Sequence, residues 1–223
     1  MYELLFFAHM GLEPSDLPVV SESADEFVWL SRNPCTLLEA CLALGLDTRR
    51  VCRPVNEKAT QAFVSRINPQ LRFHRAYEEI RPHAPHCREW LVRVDFARTM
   101  RLAAAEARRA AAAGSAVCGA VVEYAGHVIG RGRGTGQHAA AQAIRQAAAP
   151  GDPDLCGAIL FTTCAPSPAC LSLALQANLT TMVYRNAGHE VAHMGQAASG
   201  AGLRQAAACS AWPLEVIALE DKD

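Results

Sequence analysis

The sequence predicts an α/β protein in which a three-layer α/β/α domain follows a smaller α/β unit. Strand-like apolar runs alternate with helical segments from residue 95 onward, and the first ninety residues do not continue this pattern. The chain has 223 residues and is 51% hydrophobic, which suffices for one large core or two small ones. We therefore expect a small unit over residues 1–90 and a larger domain over residues 91–223.

The first ninety residues are predicted to form a small α/β unit, whose role the sequence does not indicate. Its predicted strands and helices fall, in chain order, at residues 2–8, 26–31, 36–44 and 59–67. Gly45 is the expected end of the first helix. Residues 80–90 contain Pro82 and Pro85 and are predicted to be a connector whose Trp90 docks on the core. This connector sets the expected boundary near residue 90.

The larger domain is predicted from a regular succession of elements. Strong helix formers dominate residues 95–110, where Phe96 and Met100 can face a core. Gly126 predicts the turn of a hairpin. The predicted elements are a helix at 95–110, a hairpin at 116–124 and 128–130, a helix at 136–147, a strand at 158–162, a helix carrying Cys170, and strands at 181–184 and 212–219.

The composition indicates neither a nucleic-acid surface nor a membrane segment. The net charge of −1 lacks the basic footprint of nucleic-acid binding, and the glycines around Arg131 and Arg133 favour a solvated turn over a phosphate clamp. Residues 1–10 are apolar but too short to span a bilayer, and they lack the basic flank of a signal peptide. Nine scattered cysteines suit a reducing compartment. We therefore expect a cytoplasmic protein.

Two segments of the predicted domain carry a more specific pattern. Residues 136–147 read G-Q-H-A-A-A-Q-A-I-R-Q-A, and residues 161–170 read F-T-T-C-A-P-S-P-A-C. The first resembles the H-A-E segment, and the second the T-x-E-P-C-x-x-C segment, of the cytidine and deoxycytidylate deaminase-like superfamily, which includes tRNA-adenosine deaminases. With the order of elements, the resemblance covers about residues 95–220. It implies a three-layer cytidine deaminase-like fold.

The resemblance also implies a degenerate site. In this family a His and two Cys hold Zn²⁺ and leave a position for water, while a Glu that does not touch the metal moves the proton. His138 and Cys170 match two of the zinc ligands, but Ser167 stands at the other Cys and Ala140 stands at the Glu. A neutral hydroxyl is a poor zinc ligand, and an alanine has no proton to move. We therefore expect no catalytic residue and no bound cofactor, with His138 and Cys170 as vestigial ligands.

The other substitutions in these segments remove charge or bulk. Ala165 replaces the acidic residue before Pro166, and Gln142 replaces an Asn of the family pattern. The expected result is an apolar pocket at two helix N-termini, lined by His138, Ala140, Ala165, Pro166, Ser167 and Cys170. We therefore expect a pseudoenzyme that binds a nucleobase-like small molecule or acts as a regulatory subunit. Because the family commonly dimerises, a homodimer or a hetero-oligomer with a related subunit is the expected assembly.

Three features of the sequence keep an enzyme open as the alternative. Cys164, or the two histidines of residues 189–193, could complete a zinc site with His138 and Cys170. The protein would then be a zinc-dependent nucleobase or nucleoside deaminase, a hydrolase with a rewired site. Repurposing of the fold for other chemistry is the further alternative.

Two other groups of possible metal ligands have weak contexts. Residues 189–193 read H-E-V-A-H, which is the metalloprotease spacing, but the nearest downstream acidic candidate, Glu215, lies in a predicted strand. His83, His86 and Cys87 lie in the proline-containing connector. Neighbouring side chains on an extended chain point in opposite directions, so His86 and Cys87 are not expected to share one metal ion.

Overall fold

The computed structural model describes residues 11–114, 118–134, 136–148, 154–185 and 214–219. The predicted strand at residues 2–8 and the H-E-V-A-H motif at residues 189–193 lie outside these described residues. The chain divides into two compact units, Met1–Arg93 and Val94–Asp223. None of the helices within the described ranges is both long enough and apolar enough to cross a membrane.

The first unit is built on an antiparallel sheet of four strands in the order β1-β2-β4-β3. Its elements, in chain order, are β1 (Val19–Glu22), β2 (Glu26–Ser31), α1 (Thr36–Leu44), α2 (Thr48–Cys52), α3 (Lys58–Ile67), β3 (Leu71–Arg75) and β4 (Cys87–Arg93). Leu17, Trp29, Val64 and Phe73 form its buried apolar cluster. Strands β2 and β3 thus contribute one face of the sheet to a core that α3 covers.

The three predicted elements of this unit that lie among the described residues are confirmed, and the helix expected at residues 59–67 is α3 (Lys58–Ile67). Strand β2 has the expected bounds, and α1 ends where expected, at Gly45. Gly45 adopts the left-handed conformation with φ 67°, and its N–H contacts the carbonyls of Cys41 and Leu42. Glycine tolerates this conformation without the clash that a Cβ causes, which is why a local signal located the helix end.

The predicted connector at residues 80–90 is wrong over its second half. Residues from Cys87 onward form β4, which pairs with β2 on one side and β3 on the other. Two flanking ladders of hydrogen bonds stabilise this strand. The nearby prolines, on which the prediction of a connector depended, give no indication of either ladder. Trp90 is half-buried and stacks on the His74 ring at a centroid distance of 5.5 Å. The division between the units falls after Arg93.

The second unit contains a mixed sheet of five strands in the order β6-β5-β7-β8-β9. Its elements are α4 (Phe96–Ala112), β5 (Cys118–Tyr124), β6 (His127–Gly134), α5 (Gly136–Ala147), β7 (Ile159–Thr162), α6 (Pro168–Gln176), β8 (Thr181–Arg185) and β9 (Glu215–Leu219). Strand β5 is antiparallel to both β6 and β7, whereas β7, β8 and β9 run parallel. The order of elements is the predicted one.

Helices cover both faces of this sheet. On one face α4 packs Met100 and Ala103 against Val121, Phe161 and their neighbours. On the other face α5 and α6 pack against each other and against alternate strand residues, including Ala120, Val122 and Leu160. Successive strand residues point to opposite faces, so one strand serves both layers. The predicted three-layer α/β/α fold is confirmed.

Arg131 and Arg133 do not lie in a solvated turn. Both belong to β6, and their Nη1 atoms lie 3.3 and 4.0 Å from the carboxylate oxygens of Glu106, which also pairs with Arg109. The alternating glycines of β6 suggested a turn, but they are required because α5 approaches this strand closely. The prediction failed because it attributed these glycines to the backbone freedom that a turn needs, whereas they leave room for α5 to pack against the strand.

Candidate functional site

The position of α5 is determined by unusually close packing on β6. A Cβ atom on Gly132 would lie 1.9 Å from the Ala139 carbonyl oxygen, and one on Gly130 would lie 2.1 Å from that of Ala143. Only glycines on the strand and small residues on the helix allow this approach. Strand β6 therefore holds the helix that carries His138 and Ala140 in a fixed place.

Two glutamines of α5 also bind the outer edge of β6. The backbone N–H of Arg133 donates to Gln142 Oε1 at 3.0 Å, and that of Arg131 donates to Gln146 Oε1 at 2.7 Å. Gln142 is exposed, and its side-chain oxygen accepts a hydrogen bond from an N–H at the open edge of β6. The resemblance of residues 136–147 to the family pattern does not suggest this role. Gln142 therefore contributes to the position of α5 through the strand edge.

His138 and Ala140 have contrasting environments in the first turns of α5. The His138 side chain is exposed, whereas Ala140 is completely buried in the cluster between the sheet and the helices. The position expected for a proton-transferring Glu thus holds a methyl group inside the apolar core. Nothing at this position can accept or donate a proton.

Ser167 begins α6 as its N-cap. Its Oγ accepts a hydrogen bond from the Cys170 N–H at 3.3 Å and lies 3.4 Å from Cys170 Sγ. Pro168 follows at the first helical position, as is common at helix starts. Cys170 and Pro166 are buried, and Ala165 is half-buried. The hydroxyl at the matched Cys position therefore serves the helix.

The matched positions do not fit a zinc ion. His138 and Cys170 are two donors, and the third position holds the capping hydroxyl of Ser167. A zinc site of the expected type needs three protein ligands and prefers nitrogen and thiolate donors. Within the part of the chain that the structure describes, no group of three His, Cys, Asp or Glu side chains could hold a metal ion. His83, a possible metal ligand of the predicted connector, contacts Asp47, with 3.1 Å between His83 Nε2 and Asp47 Oδ1.

The free thiol of Cys164 is hydrogen-bonded to the free thiol of Cys118. The sequence indicated Cys118 only as part of the core. Cys118 begins β5, Cys164 follows β7, and both sulfurs contact Thr163 Oγ1, at 3.7 and 3.9 Å. A hydrogen bond from Cys118 lowers the pKa of Cys164 to about 7, against the opposing effect of burial. The same bond, together with burial, raises the pKa of Cys118 well above its usual range. The register Ala120↔Thr162, extended by two pairs through Gly119 and Thr163, could have located this contact.

We expect Cys164 to be alkylated by iodoacetamide with a pH midpoint near 7. The thiolate is the reactive form, so reactivity should rise as the pH increases through this value. Removing the donor with Cys118→Ala should move the midpoint up toward about 8.5, the value of an ordinary thiol. Mass spectrometry of peptides after timed labelling measures both midpoints.

Cys118→Ser is the matched control because it keeps a hydrogen-bond donor at the same place. Its Cys164 midpoint should stay below that of the Cys118→Ala variant. Equal midpoints in the wild type and in Cys118→Ala would contradict the assigned hydrogen bond.

Two cavities lined by described residues include none of the matched site residues. One lies in the first unit and is lined by residues between Trp29 and Leu91. The other lies at the edge of β6, and its wall includes Glu106, Arg109, Arg131, Arg133 and Arg145. The expected apolar pocket at the N-termini of α5 and α6 coincides with neither of them.

Comparison with known proteins gives one family and several solved structures. A model described as the cytidine and deoxycytidylate deaminase zinc-binding region matches residues 94–186. The chain is similar to a guanine deaminase from Bacillus subtilis, with 28% identity over 41% of this chain and 64% of that one and a TM-score of 0.38. It is similar to a tRNA:A34 deaminase, with 25% identity over 55% and 98% of the two chains and a TM-score of 0.42. A dCMP deaminase from the cyanophage S-TIM5 is 21% identical over 55% and 95%, with a TM-score of 0.37. No curated protein gives a significant match.

Proposed function

We propose, from the premise that residues 94–186 belong to the cytidine deaminase-like superfamily, that this domain does not hydrolyse nucleobases and instead binds a nucleobase-like small molecule or a partner subunit. The observation that carries the proposal is Ala140. It lies two residues after His138 on α5, it is 0% exposed, and it has no group that transfers a proton.

Hydrolytic deamination needs an activated water and a group that moves protons. General acid-base groups typically contribute about 10² to 10⁴ in rate, and a metal ion that lowers the pKa of its bound water contributes a further large factor. Ala140 removes the first contribution. Ser167 in place of a thiolate weakens the second, because its hydroxyl is neutral and already caps α6.

The binding role is supported by the parts of the site that remain. Helices α5 and α6 pack against each other, with an exposed imidazole at His138 in the first turn of α5 and half-buried Ala165 and Ser167 just before α6. An imidazole can donate or accept a hydrogen bond with a planar heterocycle, and small apolar neighbours suit its faces. The partner role, as a homodimer or with a related subunit, is the second form of the same proposal.

We expect no ammonia release from cytidine, deoxycytidylate, guanine or adenine in single-stranded RNA. The expected turnover lies below detection because the acid-base contribution is missing and the contribution of a metal-activated water is weakened. A coupled ammonia assay with a known active deaminase as positive control measures it.

His138→Ala is the matched variant for this assay, since His138 is exposed and its loss should leave the fold intact. Ammonia release that survives purification and disappears in His138→Ala would contradict the proposal. A trace of ammonia release that is equal in the wild type and in His138→Ala would come from a contaminating enzyme.

The alternative function is a zinc-dependent deaminase with a rewired ligand set. Residues 189–193 are the candidates for completing that set with His138 and Cys170. Elemental analysis of the purified protein separates the two functions, because about one zinc ion per chain, lost in Cys170→Ala, would favour the enzyme.

A further inference from the structure

The first unit contains a partly open, mostly apolar cavity of about 240 Å³. Its wall includes the rings of Trp29, Phe63 and Phe73 and aliphatic side chains from α1, α3 and β4. Ligand sites are typically concave and apolar, with a few polar groups that orient the ligand. This cavity has that composition, and it lies wholly within the first unit.

Most of the polar groups in the cavity wall are already paired with each other. Arg75 forms an ion pair with Glu89, and Glu89 also accepts a hydrogen bond from Ser31 Oγ. Ser31 Oγ in turn accepts from Trp29 Nε1 at 3.2 Å. Arg75 and Glu89 carry opposite charges, so this network adds no net charge to the cavity.

Arg81 is the charged side chain of the wall that has no carboxylate partner among the described residues. Its Nη1 and Nη2 atoms donate to the carbonyls of Arg32 and Asn33 at 2.9 and 2.8 Å, and these acceptors are neutral. Its Nε is buried and makes no hydrogen bond within the described part of the chain. Among the described residues of the wall, Arg75, Glu89 and Arg81 are charged, and together they give it a net positive charge.

The wall also reaches the protein surface. Phe63 and Ile67 of α3 line the cavity and are each 45% exposed. Large apolar side chains that are exposed beside a cavity are typical of the entrance to a binding site. The volume lies below the roughly 300 to 1,000 Å³ of sites for drug-sized ligands, so the occupant is a smaller molecule.

We propose that the first unit binds a small hydrophobic carboxylate, with its apolar body among the rings of the cavity and its carboxylate at Arg81. A guanidinium binds a carboxylate through charge-assisted hydrogen bonds, and each Nη of Arg81 has a second N–H beside the one that it donates to a carbonyl. This inference concerns the first unit alone and does not depend on the function proposed for the deaminase-like domain.

Isothermal titration of the full chain with 2-naphthoate tests the proposal. We expect one binding site per chain in the micromolar range. The uncharged 2-naphthamide should bind roughly tenfold more weakly, because a hydrogen bond to a charged group typically accounts for such a factor. Equal affinity for the two probes, tighter binding of the cation 2-naphthylmethylamine, or no binding of 2-naphthoate would overturn the proposal.

Two variants locate the site. Thr60→Phe on α3 places a ring into the cavity and should abolish 2-naphthoate binding, whereas Ala59→Phe, on the exposed neighbouring position, should leave the affinity unchanged. Arg81→Gln should reduce the affinity for 2-naphthoate to that for 2-naphthamide. Thermal unfolding shows whether each variant is folded. Binding that persists in a folded Thr60→Phe protein would also overturn the assignment, and the comparison of the three probes needs no variant.

Discussion

Gly132→Ala is expected to lower the free energy of unfolding of the second unit by about 4 kcal/mol. The new Cβ would lie 1.9 Å from the Ala139 carbonyl oxygen and 2.8 Å from the Ala143 nitrogen. Both are backbone atoms of α5, so the clash cannot be relieved by a side-chain rotation and requires the helix to move. Chemical denaturation followed by circular dichroism measures the loss.

Gly126→Ala, in the turn of the same hairpin, is the control. A Cβ there meets no atom within 4 Å, but Gly126 has φ 85°, so the expected cost is about 1 kcal/mol from backbone conformation alone. Equal destabilisation by the two substitutions would show that α5 does not approach β6 as closely as described. A movement of α5 would also displace His138 and Ala140.

Ser167→Cys is expected to change the protein from one without stoichiometric zinc to one that binds about one zinc ion per chain. Two sulfur ligands of a tetrahedral zinc lie roughly 3.8 Å apart, because each Zn–S bond is about 2.3 Å. The Ser167 Oγ to Cys170 Sγ distance is 3.4 Å, so a thiolate at position 167 is close to the required separation. His138, on the neighbouring α5, is the expected third ligand. Elemental analysis and the absorption spectrum of the cobalt-substituted variant measure binding.

Two further variants make this test specific. Adding His138→Ala to Ser167→Cys should abolish stoichiometric binding, because only two ligands remain. Ser167→Ala should stay metal-free and lose about 1 kcal/mol of stability, since it removes the N-cap of α6. If Ser167→Cys remains metal-free in excess zinc, His138 and Cys170 are not the remnants of a metal site, and the interpretation of the pair should be abandoned.

Local signals predicted most of the fold correctly. Strand β2 and helix α1 follow from periodicity and from the glycine that ends the helix, and the strands of the second unit follow from their apolar runs. The errors share one cause. Residues 87–93 become a strand because β2 and β3 flank them, and Arg131 and Arg133 lie in β6 because α5 packs against their glycines. Such contacts join residues that are far apart in the sequence.

In the candidate site, too, some properties follow from the sequence and others depend on tertiary contacts. The sequence by itself determined which chemical groups are present, because no fold can give Ala140 a proton or Ser167 a thiolate. Only the tertiary structure decided what these residues do instead: Ala140 fills the core, Ser167 caps α6, and Cys164 meets Cys118 across two strands. The cavity of the first unit was not visible either, since its wall gathers side chains from residues 29 to 91. Side-chain identity is a property of the chain, whereas burial, hydrogen bonding and pKa depend on neighbours that only folding brings together.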